Sequence, residues 1–421
     1  MPNDVEKNLT SINPDNQYLV VNNLYGKITE DPLNIKVIED NYKGSNSTKV
    51  LLDNQVEAFI ELGEPSNAFD YKVVASEIAD LFDIKVTPIH RLKSNDKQVG
   101  IIRRSNAELD QIAITFGQIA KSLYLKIQAG AIEGKPWLDT INRIAATQGP
   151  IVDEADFKMI LDMPLYLAIR SFTGEITPLR YLKIRKDYTN ALLFDFIINQ
   201  AKRSLDSYTV VVKAAKDPKE PKEPNFGALY SFNSQSSEGL NPDEYVLNTN
   251  IVKREDLIKY LFKYYYTDIA EFSKMISDFL PDYQKCLELI LKNNYPQGEY
   301  QQLLNTILSN LELIKQYELQ YNDKTQTNIE LTQTNISLQL KAKRDINKVL
   351  AKYPEPKVDP VQKEIAEPVV EEGLKLILEP EKKVANQRSG FVNGTLVVLM
   401  ILVIFGIGIG IGYVIFNISG V

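Results

Sequence analysis

Two polar loops in the middle of the chain carry the residues best placed to do chemistry. The first, Asn199 to Ser207 (NQAKRSLDS), follows a helical apolar run, and the second lies around Ser231 to Ser237. A β-rich segment, Tyr208 to Val212, separates them. A helix, a polar loop, a strand and a second polar loop can hold a general base and a metal ligand first, and another metal ligand later. The residue types in the two loops therefore decide which chemistry this layout supports.

Composition excludes several other classes of site. The net charge of -7 and the pI near 5.2 argue against a protein that binds nucleic-acid phosphates. A single Cys excludes an intramolecular disulfide, and a single His leaves no His/Cys set for zinc. A Ser-His-Asp hydrolase would need His90, and no nucleophile-elbow pattern accompanies it. Cys286 falls on an apolar helical stripe, so we expect a buried and unreactive thiol.

The elements that must position the loops begin with a β-rich region. After a flexible N-terminus (1–16), residues 17–104 read as short strands with one inserted helix. The helical period covers Tyr71 to Phe82, and Glu77 lies at the edge of its apolar stripe. The predicted strands are Tyr18 to Val21, Ile35 to Ile38, Lys49 to Asp53, Val56 to Leu62 and Val99 to Ile102.

Residues 105–298 are predicted to be mainly helical. An apolar stripe from Leu109 to Ile127 follows the i, i+3, i+4, i+7 rule, and Gly130 ends it. Asp153 to Thr173 is a second helical region, and further amphipathic helices follow the polar loops. The expected fold class is therefore α+β, with a β-rich lobe preceding a helical one.

Residues 299–350 are rich in Leu, Gln, Asn, Thr and Lys and predict a long helix. Leu304, Leu311 and Ile314 fit a short heptad seam, which Glu318 and Tyr321 already weaken. A firm coiled-coil prediction needs three to four clean heptads. Three alternatives stay open: self-association through a coiled coil, a helix packed on the body of the protein, and a solvated stalk.

The C-terminal part predicts a membrane anchor. Residues 351–390 are rich in Pro, Glu and Lys and read as an extended linker. Within 391–421, the segment 395–416 is uncharged and almost wholly apolar, and about 22 residues at 1.5 Å each span roughly 33 Å. Basic residues precede the segment and none follows, so the positive-inside rule places the N-terminal bulk in the cytoplasm. Gly-rich spacing in the span also permits close approach of a second helix.

The chain from about Lys43 to Leu240 resembles the HipA-like kinases. Their glycine-rich loop matches GSNSTK, Gly44 to Lys49. Their helix that carries a Glu matches VVASEIADLF, in which Glu77 takes that position. Their catalytic loop, N-x-D-R-H-x-x-N, matches NQAKRSLD from Asn199 to Asp206. Their metal loop matches LYSFNSQSS. The resemblance implies a bilobal protein-kinase-like fold that binds ATP and Mg²⁺.

Three positions depart from the pattern of the family. Glu61 stands where members have Lys, Ala201 where they have the base Asp, and Ser231 where they have the metal-binding Asp. Phosphoryl transfer needs that Lys on the phosphates and Asp-held Mg²⁺. Glu61 would also place a carboxylate opposite Glu77, where like charges repel. These losses predict no catalytic residues and no cofactor.

If residual nucleotide binding persists, the resemblance assigns it to Gly44, Lys49 and Glu77. Asp206 is then a weak metal ligand, since a single carboxylate holds a hard cation poorly.

The sequence thus favours a membrane-anchored cytoplasmic pseudokinase that acts as a protein-interaction scaffold. One alternative is an active atypical kinase that has relocated its catalytic groups among Lys49, Lys202, Asp195 and Asp206. Another is a non-catalytic membrane tether with an unrelated α+β domain. The partners expected are the membrane, unidentified proteins and a second copy of the chain, bound through 299–350 or the span.

Overall fold

The computed structural model describes most of the chain up to residue 352. It covers residues 12, 18–21, 33–39, 47–53, 56–63, 66–94, 97–105, 111–131, 134–135, 138–139, 142–143, 151, 153–172, 176–213, 224–229, 231–233, 240–241, 243–295, 298–325 and 333–352. Side chains are described except those of residues 21 and 323–338. Five predicted features lie outside the described residues: most of the 1–16 segment, Gly44, the second polar loop beyond residue 233, the linker beyond residue 352 and the span at 395–416. The described residues belong to one compact unit, Met1–Glu355.

An antiparallel six-stranded sheet forms the N-terminal part. Its strands are β1 Tyr18–Val21, β2 Ile35–Glu39, β3 Ser47–Leu52, β4 Val56–Leu62, β5 Ile89–Ser94 and β6 Lys97–Arg104, in the order β1-β5-β6-β4-β3-β2. Alternate residues of β3 and β4 are buried, Thr48 and Val50 opposite Ile60 and Ala58. This face has its own apolar core, and the predicted strands of the region are confirmed.

The other face of the sheet packs on helix α1, Asn67–Leu81. Ser66 caps this helix by accepting the backbone N–H of Phe69 at 3.4 Å. The predicted helix is thus confirmed, but it begins four residues earlier than the apolar stripe suggested. The helix joins Ile89 and Ile101 of the sheet to the main core.

The prediction of a helix from Leu109 is wrong for its first part. Residues Gln111–Thr115 form strand β7, and α2 runs from Phe116–Gln128. The Thr115 side chain accepts the N–H of Gln118 at 3.0 Å, and Gln118 bonds back to Thr115 in a capping box. An N-cap residue is non-helical, so the helix cannot extend upstream of Thr115.

Helices α3, Glu154–Ser171, and α4, Pro178–Ile197, lead to the first polar loop. Beyond it, a 3₁₀ turn at Leu205–Ser207 precedes β9, Thr209–Lys213. Strand β9 lies between β7 and β10, Asn225–Phe226, in one small sheet. A second small sheet pairs β8, Lys202–Arg203, in parallel with β11, Glu244–Leu247, which also pairs with β12, Asn250–Lys253.

The predicted long helix over 299–350 is described as two helices. They are α7, Gln301–Thr325, and α8, Gln333–Lys352, and they follow α5, Arg254–Asp278, and α6, Leu280–Asn294. The heptad residues Leu304, Leu311 and Ile314 are buried in the main core. Since that stripe already packs on the body, it is not free for a coiled coil between copies.

Among the described helices, none combines the length and the apolar character needed to cross a bilayer.

Candidate functional site

The first polar loop is built into the core. Ala201, at the position of the base in the kinase pattern, has no exposed surface. Its N–H donates to the carbonyl of Asn233 at 2.9 Å, and its carbonyl accepts the N–H of Val246 at 3.0 Å. The loop is thus fixed on one side to the second polar loop and on the other to β11. At this position the hydrogen bonds are made by the backbone of Ala201, and its side chain is an unreactive methyl group.

Gln200 connects both loops to helix α1. Its Oε1 accepts the N–H of Asn233 at 3.0 Å and the hydroxyl of Tyr71 at 3.4 Å. Tyr71, on α1, also donates to the carbonyl of Ile198 at 3.0 Å. Burial raises the pKa of Tyr71 far above its usual range, so the hydroxyl stays protonated and donates. Sequence reasoning missed both residues, because neither Gln nor Tyr signals a contact across more than a hundred residues.

Arg203 and Asp195 form a buried ion pair beneath the first loop. Both side chains are fully buried, with Nε to Oδ2 at 2.9 Å and Nη2 to Oδ1 at 2.6 Å. Tyr245 donates its hydroxyl to Asp195 Oδ2 at 2.9 Å. Burial lowers the pKa of Arg203, but the Asp195 carboxylate outweighs it, so the pKa lies above its usual value. The guanidinium of Arg203 is therefore charged, and Asp195 accepts two of its hydrogen bonds within the core.

Arg203 also reaches the second loop. Its Nη1 donates to the backbone carbonyl of Ser231, and its guanidinium lies 5.1 Å from the centre of the Phe232 ring. Ser231 thus serves this contact through its backbone, while its side chain is half-buried. The structure brings Ala201, Arg203 and Ser231 together where the two polar loops meet.

Glu61 has a partner that the sequence analysis did not foresee. Its two carboxylate oxygens lie 2.7 and 2.8 Å from Nζ of Lys72 on α1. The expected repulsion between Glu61 and Glu77 is therefore wrong, since a cation on the same helix neutralises Glu61. The sheet and the helix are joined by an ion pair whose acid is on the strand and whose base is on the helix.

Glu77 is engaged on the opposite side of α1. It accepts from Asn294 Nδ2 at 3.1 Å and from Lys352 Nζ at 3.1 Å. Asn294 in turn accepts from Arg91, which is fully buried and donates to Asp70 at 2.6 Å. The carboxylate of Glu77 thus belongs to a network that joins α1 to β5, α6 and the end of α8.

Asp206 lies at the N-terminus of α2. Its Oδ1 accepts the hydroxyl of Thr115 at 2.7 Å, and a Cβ at Gly117 would stand 2.2 Å from the same oxygen. Gly117 is therefore required for this close approach, and the partial positive charge of the helix end favours the carboxylate. Among the described residues, no three His, Cys, Asp or Glu side chains gather to hold a metal.

Lys49, one of the three described residues of the predicted glycine-rich loop, lies in β3 and pairs with Glu57 on β4 at 2.9 Å. The half-buried His90 lies within β5 rather than in a hinge. Cys286 is buried, and burial raises its thiol pKa to about 11, as its apolar stripe suggested.

No protein-family model and no curated protein matches this chain. Among solved structures, the chain is similar to a Helicobacter pylori proinflammatory kinase, CtkA, with 11% identity and a TM-score of 0.43 over 66% of this chain and 95% of that one. It is also similar to HipA of Shewanella oneidensis MR-1, from a toxin–antitoxin complex with HipB and operator DNA. That match has 11% identity and a TM-score of 0.36, over 65% of this chain and 61% of that one. Similarities this low do not by themselves establish a function for this chain.

Proposed function

We propose that this chain is a pseudokinase, a HipA-like kinase domain without phosphoryl transfer that serves as a protein-interaction scaffold at a membrane. The burial of Ala201 carries the proposal. Its backbone N–H and carbonyl are both bonded within the core, and its methyl group has no exposed surface. A methyl group cannot accept or orient the proton of a substrate hydroxyl.

The relocated-kinase alternative has less support, because three of the four charged residues it would use have partners within the fold. Asp195 is fully buried against Arg203, and Lys49 pairs with Glu57. Asp206 accepts from Thr115 at the end of α2. These side chains hold the frame together instead of facing a nucleotide.

The scaffold part of the proposal rests on the sequence. The apolar segment 395–416 and the Pro-rich linker before it would hold the domain near a bilayer. A domain that keeps a kinase-like frame without the reaction is suited to recognise proteins. The alternative of a plain tether would bind its partners through the C-terminal segments alone.

The test uses the full chain in detergent micelles with Mg²⁺ and ATP labelled on the γ-phosphate. We expect no label on the chain or on a generic Ser/Thr substrate protein. Nucleotide at 100 times its Kd would add roughly 2.7 kcal/mol to the free energy of unfolding, and we expect no such shift.

Label incorporation that disappears in the Asp206→Ala variant would overturn the proposal in favour of the active kinase. An Asp243→Asn variant is the matched control, since Asp243 is exposed and lies outside both loops.

A further inference from the structure

A groove of about 850 Å³ lies between α1, α4, α6 and α8. A side pocket of about 180 Å³ adjoins it, and the two cavities share lining residues that include Asp187 and Asn190 of α4. Neither cavity is lined by Ala201, Asp206 or Ser231, so this region is separate from the two polar loops.

Three polar groups in these walls have no hydrogen-bond partner among the residues that the structure describes. The half-buried carboxylate of Asp187 makes no hydrogen bond or ion pair within this part of the chain. Asn190 Oδ1 and Tyr283 Oη are buried and have no hydrogen-bond partner there either. Tyr283 is fully buried and lines the side pocket. Buried polar atoms in folded proteins are nearly always bonded, so two such atoms beside a half-buried carboxylate in one pocket indicate a group that binds there.

The lysines around the cavities do not form an ion pair with Asp187. Lys341 pairs with Asp83, Lys186 pairs with Glu271, and Lys85 donates to the carbonyl of Phe226 at 2.9 Å. Lys183 is exposed on α4. Burial raises the pKa of the Asp187 carboxyl despite the fields of Lys183, Lys85 and Lys186. The attraction of these lysines is therefore too weak to offset the cost of burying the Asp187 carboxylate.

Part of the side pocket is apolar. Phe82, Ile84, Phe272 and Met275 line it, together with charged side chains that include Glu271 and Asp345. The apolar side chains accommodate an aliphatic stem, while the polar groups bind its charged end. A volume of 180 Å³ is below the roughly 300–1,000 Å³ of a pocket for a drug-sized ligand, so the side pocket suits one long side chain or a small amine.

We propose that the side pocket binds a guanidinium or ammonium group on an aliphatic stem. Asp187 accepts hydrogen bonds from the cation, and Asn190 Oδ1 and Tyr283 Oη accept further ones. The ligand is either a free amine or an Arg or Lys side chain of a peptide that lies in the larger groove. This site does not depend on the pseudokinase proposal, because its residues lie outside both loops.

The probe is N-acetyl-arginine amide, titrated by calorimetry or NMR into the full chain in detergent micelles. N-acetyl-citrulline amide, which has the same shape without the charge, is the neutral comparison. We expect saturable binding of the arginine probe, at least tenfold weaker binding of the citrulline probe, and at least a tenfold loss with Asp187→Asn. Asp243→Asn, an exposed aspartate outside the cavities, should leave the affinity unchanged.

A short peptide with Arg between apolar residues distinguishes the two sources of the cation. Peptide binding at least tenfold tighter than the amide supports a protein ligand, and equal affinity supports a free amine. The proposal is overturned if the arginine probe does not bind, if citrulline binds equally well, or if Asp187→Asn binds as the native chain does. If Asp187→Asn does not fold, Tyr283→Phe decides, since it removes only the hydroxyl and should weaken binding severalfold.

Discussion

The carboxylate of Glu61 on β4 lies 2.7 Å from the ammonium of Lys72 on α1. In the kinase pattern, the strand supplies the base and the helix supplies the acid. Here the strand carries the acid, Glu61, and the helix carries the base, Lys72. Glu77, the acid of the kinase pattern, instead accepts hydrogen bonds from Lys352 and Asn294. The link between the sheet and α1 is retained, while the strand position that would contact phosphates is negative.

Exchanging these two charges should test the link directly. Glu61→Lys alone places two ammonium groups together, and we expect a loss of roughly 0.5–1 kcal/mol, since both side chains are only partly buried. Lys72→Glu alone should cost a similar amount. The double variant should recover most of the loss, as measured by urea unfolding in a double-mutant cycle. Additive losses would show that the pair contributes nothing to stability.

The pair between Asp195 and Arg203 should matter far more, because both side chains are fully buried. Asp195→Asn leaves the Arg203 charge without its counterion, and we expect a loss of about 3–5 kcal/mol in urea unfolding. Asp278→Asn is the control, because it removes a partly exposed i,i+4 pair with Lys274. That change should cost less than about 0.5 kcal/mol. Equal losses in the two variants would contradict the assigned role of the buried pair.

Glu318 should make stability depend on pH. It is buried on α7 and accepts hydrogen bonds from Tyr266 and Ser273, and burial raises the pKa of its carboxyl above the usual value of 4.5. A carboxyl whose pKa is raised on folding stabilises the protein fully below its unfolded pKa and loses that contribution as pH rises through the folded pKa. Glu318→Gln should therefore gain stability relative to the native chain between pH 4 and pH 7, as measured by urea unfolding. A constant difference across that range would exclude this effect.

The single cysteine should report the docking of α8. Cys286 is buried, and its Sγ lies 3.8 Å from the carbonyl of Ile346 on that helix. Three ion pairs also join α8 to α1 and to the residues that follow it. Lys348 pairs with Asp80 and Lys352 with Glu77, both on α1, and Lys341 pairs with Asp83 just after the helix.

These ion pairs are largely exposed, so salt and charge reversal should weaken them. We expect a maleimide to label Cys286 slowly in the native chain. Labelling should be at least several times faster after reversal of the three lysines to Glu. Reversal of Lys259, Lys285 and Lys292, which are outside the three ion pairs, is the control for net charge. Equal labelling rates in the two triple variants would mean that these ion pairs do not hold α8 in place.

The predicted membrane anchor can be tested by fractionation. The full chain should sediment with membranes and resist extraction by carbonate, because about 22 apolar residues cross a bilayer core. A variant that ends at Glu355, the end of the compact unit, should appear in the supernatant. Sedimentation of both forms would place the membrane contact within the body of the protein instead.

Local patterns in the sequence were enough to identify much of the frame. The alternation in β4 and the helical stripe of α1 depend on neighbours in the chain, so both were predicted. The order of the two polar loops was also readable, and the structure places Ala201 and Ser231 on loops bonded to each other through Arg203 and Asn233.

Strand β5 was missed because its sequence, IHRLKS, reads as polar. Arg91 is fully buried there only because Asp70 and Asn294 accept its hydrogen bonds. Those partners lie 21 and 203 positions away, so no local pattern shows that the charge can be buried.

The sequence by itself determined which chemical groups are present: an alanine at the position of the base, a serine at the position of the metal ligand and a glutamate on the strand. Only the tertiary structure decided what those groups contact. It paired Glu61 with Lys72 and placed Asp206 at the N-terminus of α2. Among the described residues, it left the Asp187 carboxylate without a hydrogen bond or an ion pair. The physical reason is that residue type fixes the charge and the hydrogen-bonding capacity of a side chain, whereas its partner and its burial follow from contacts between distant segments.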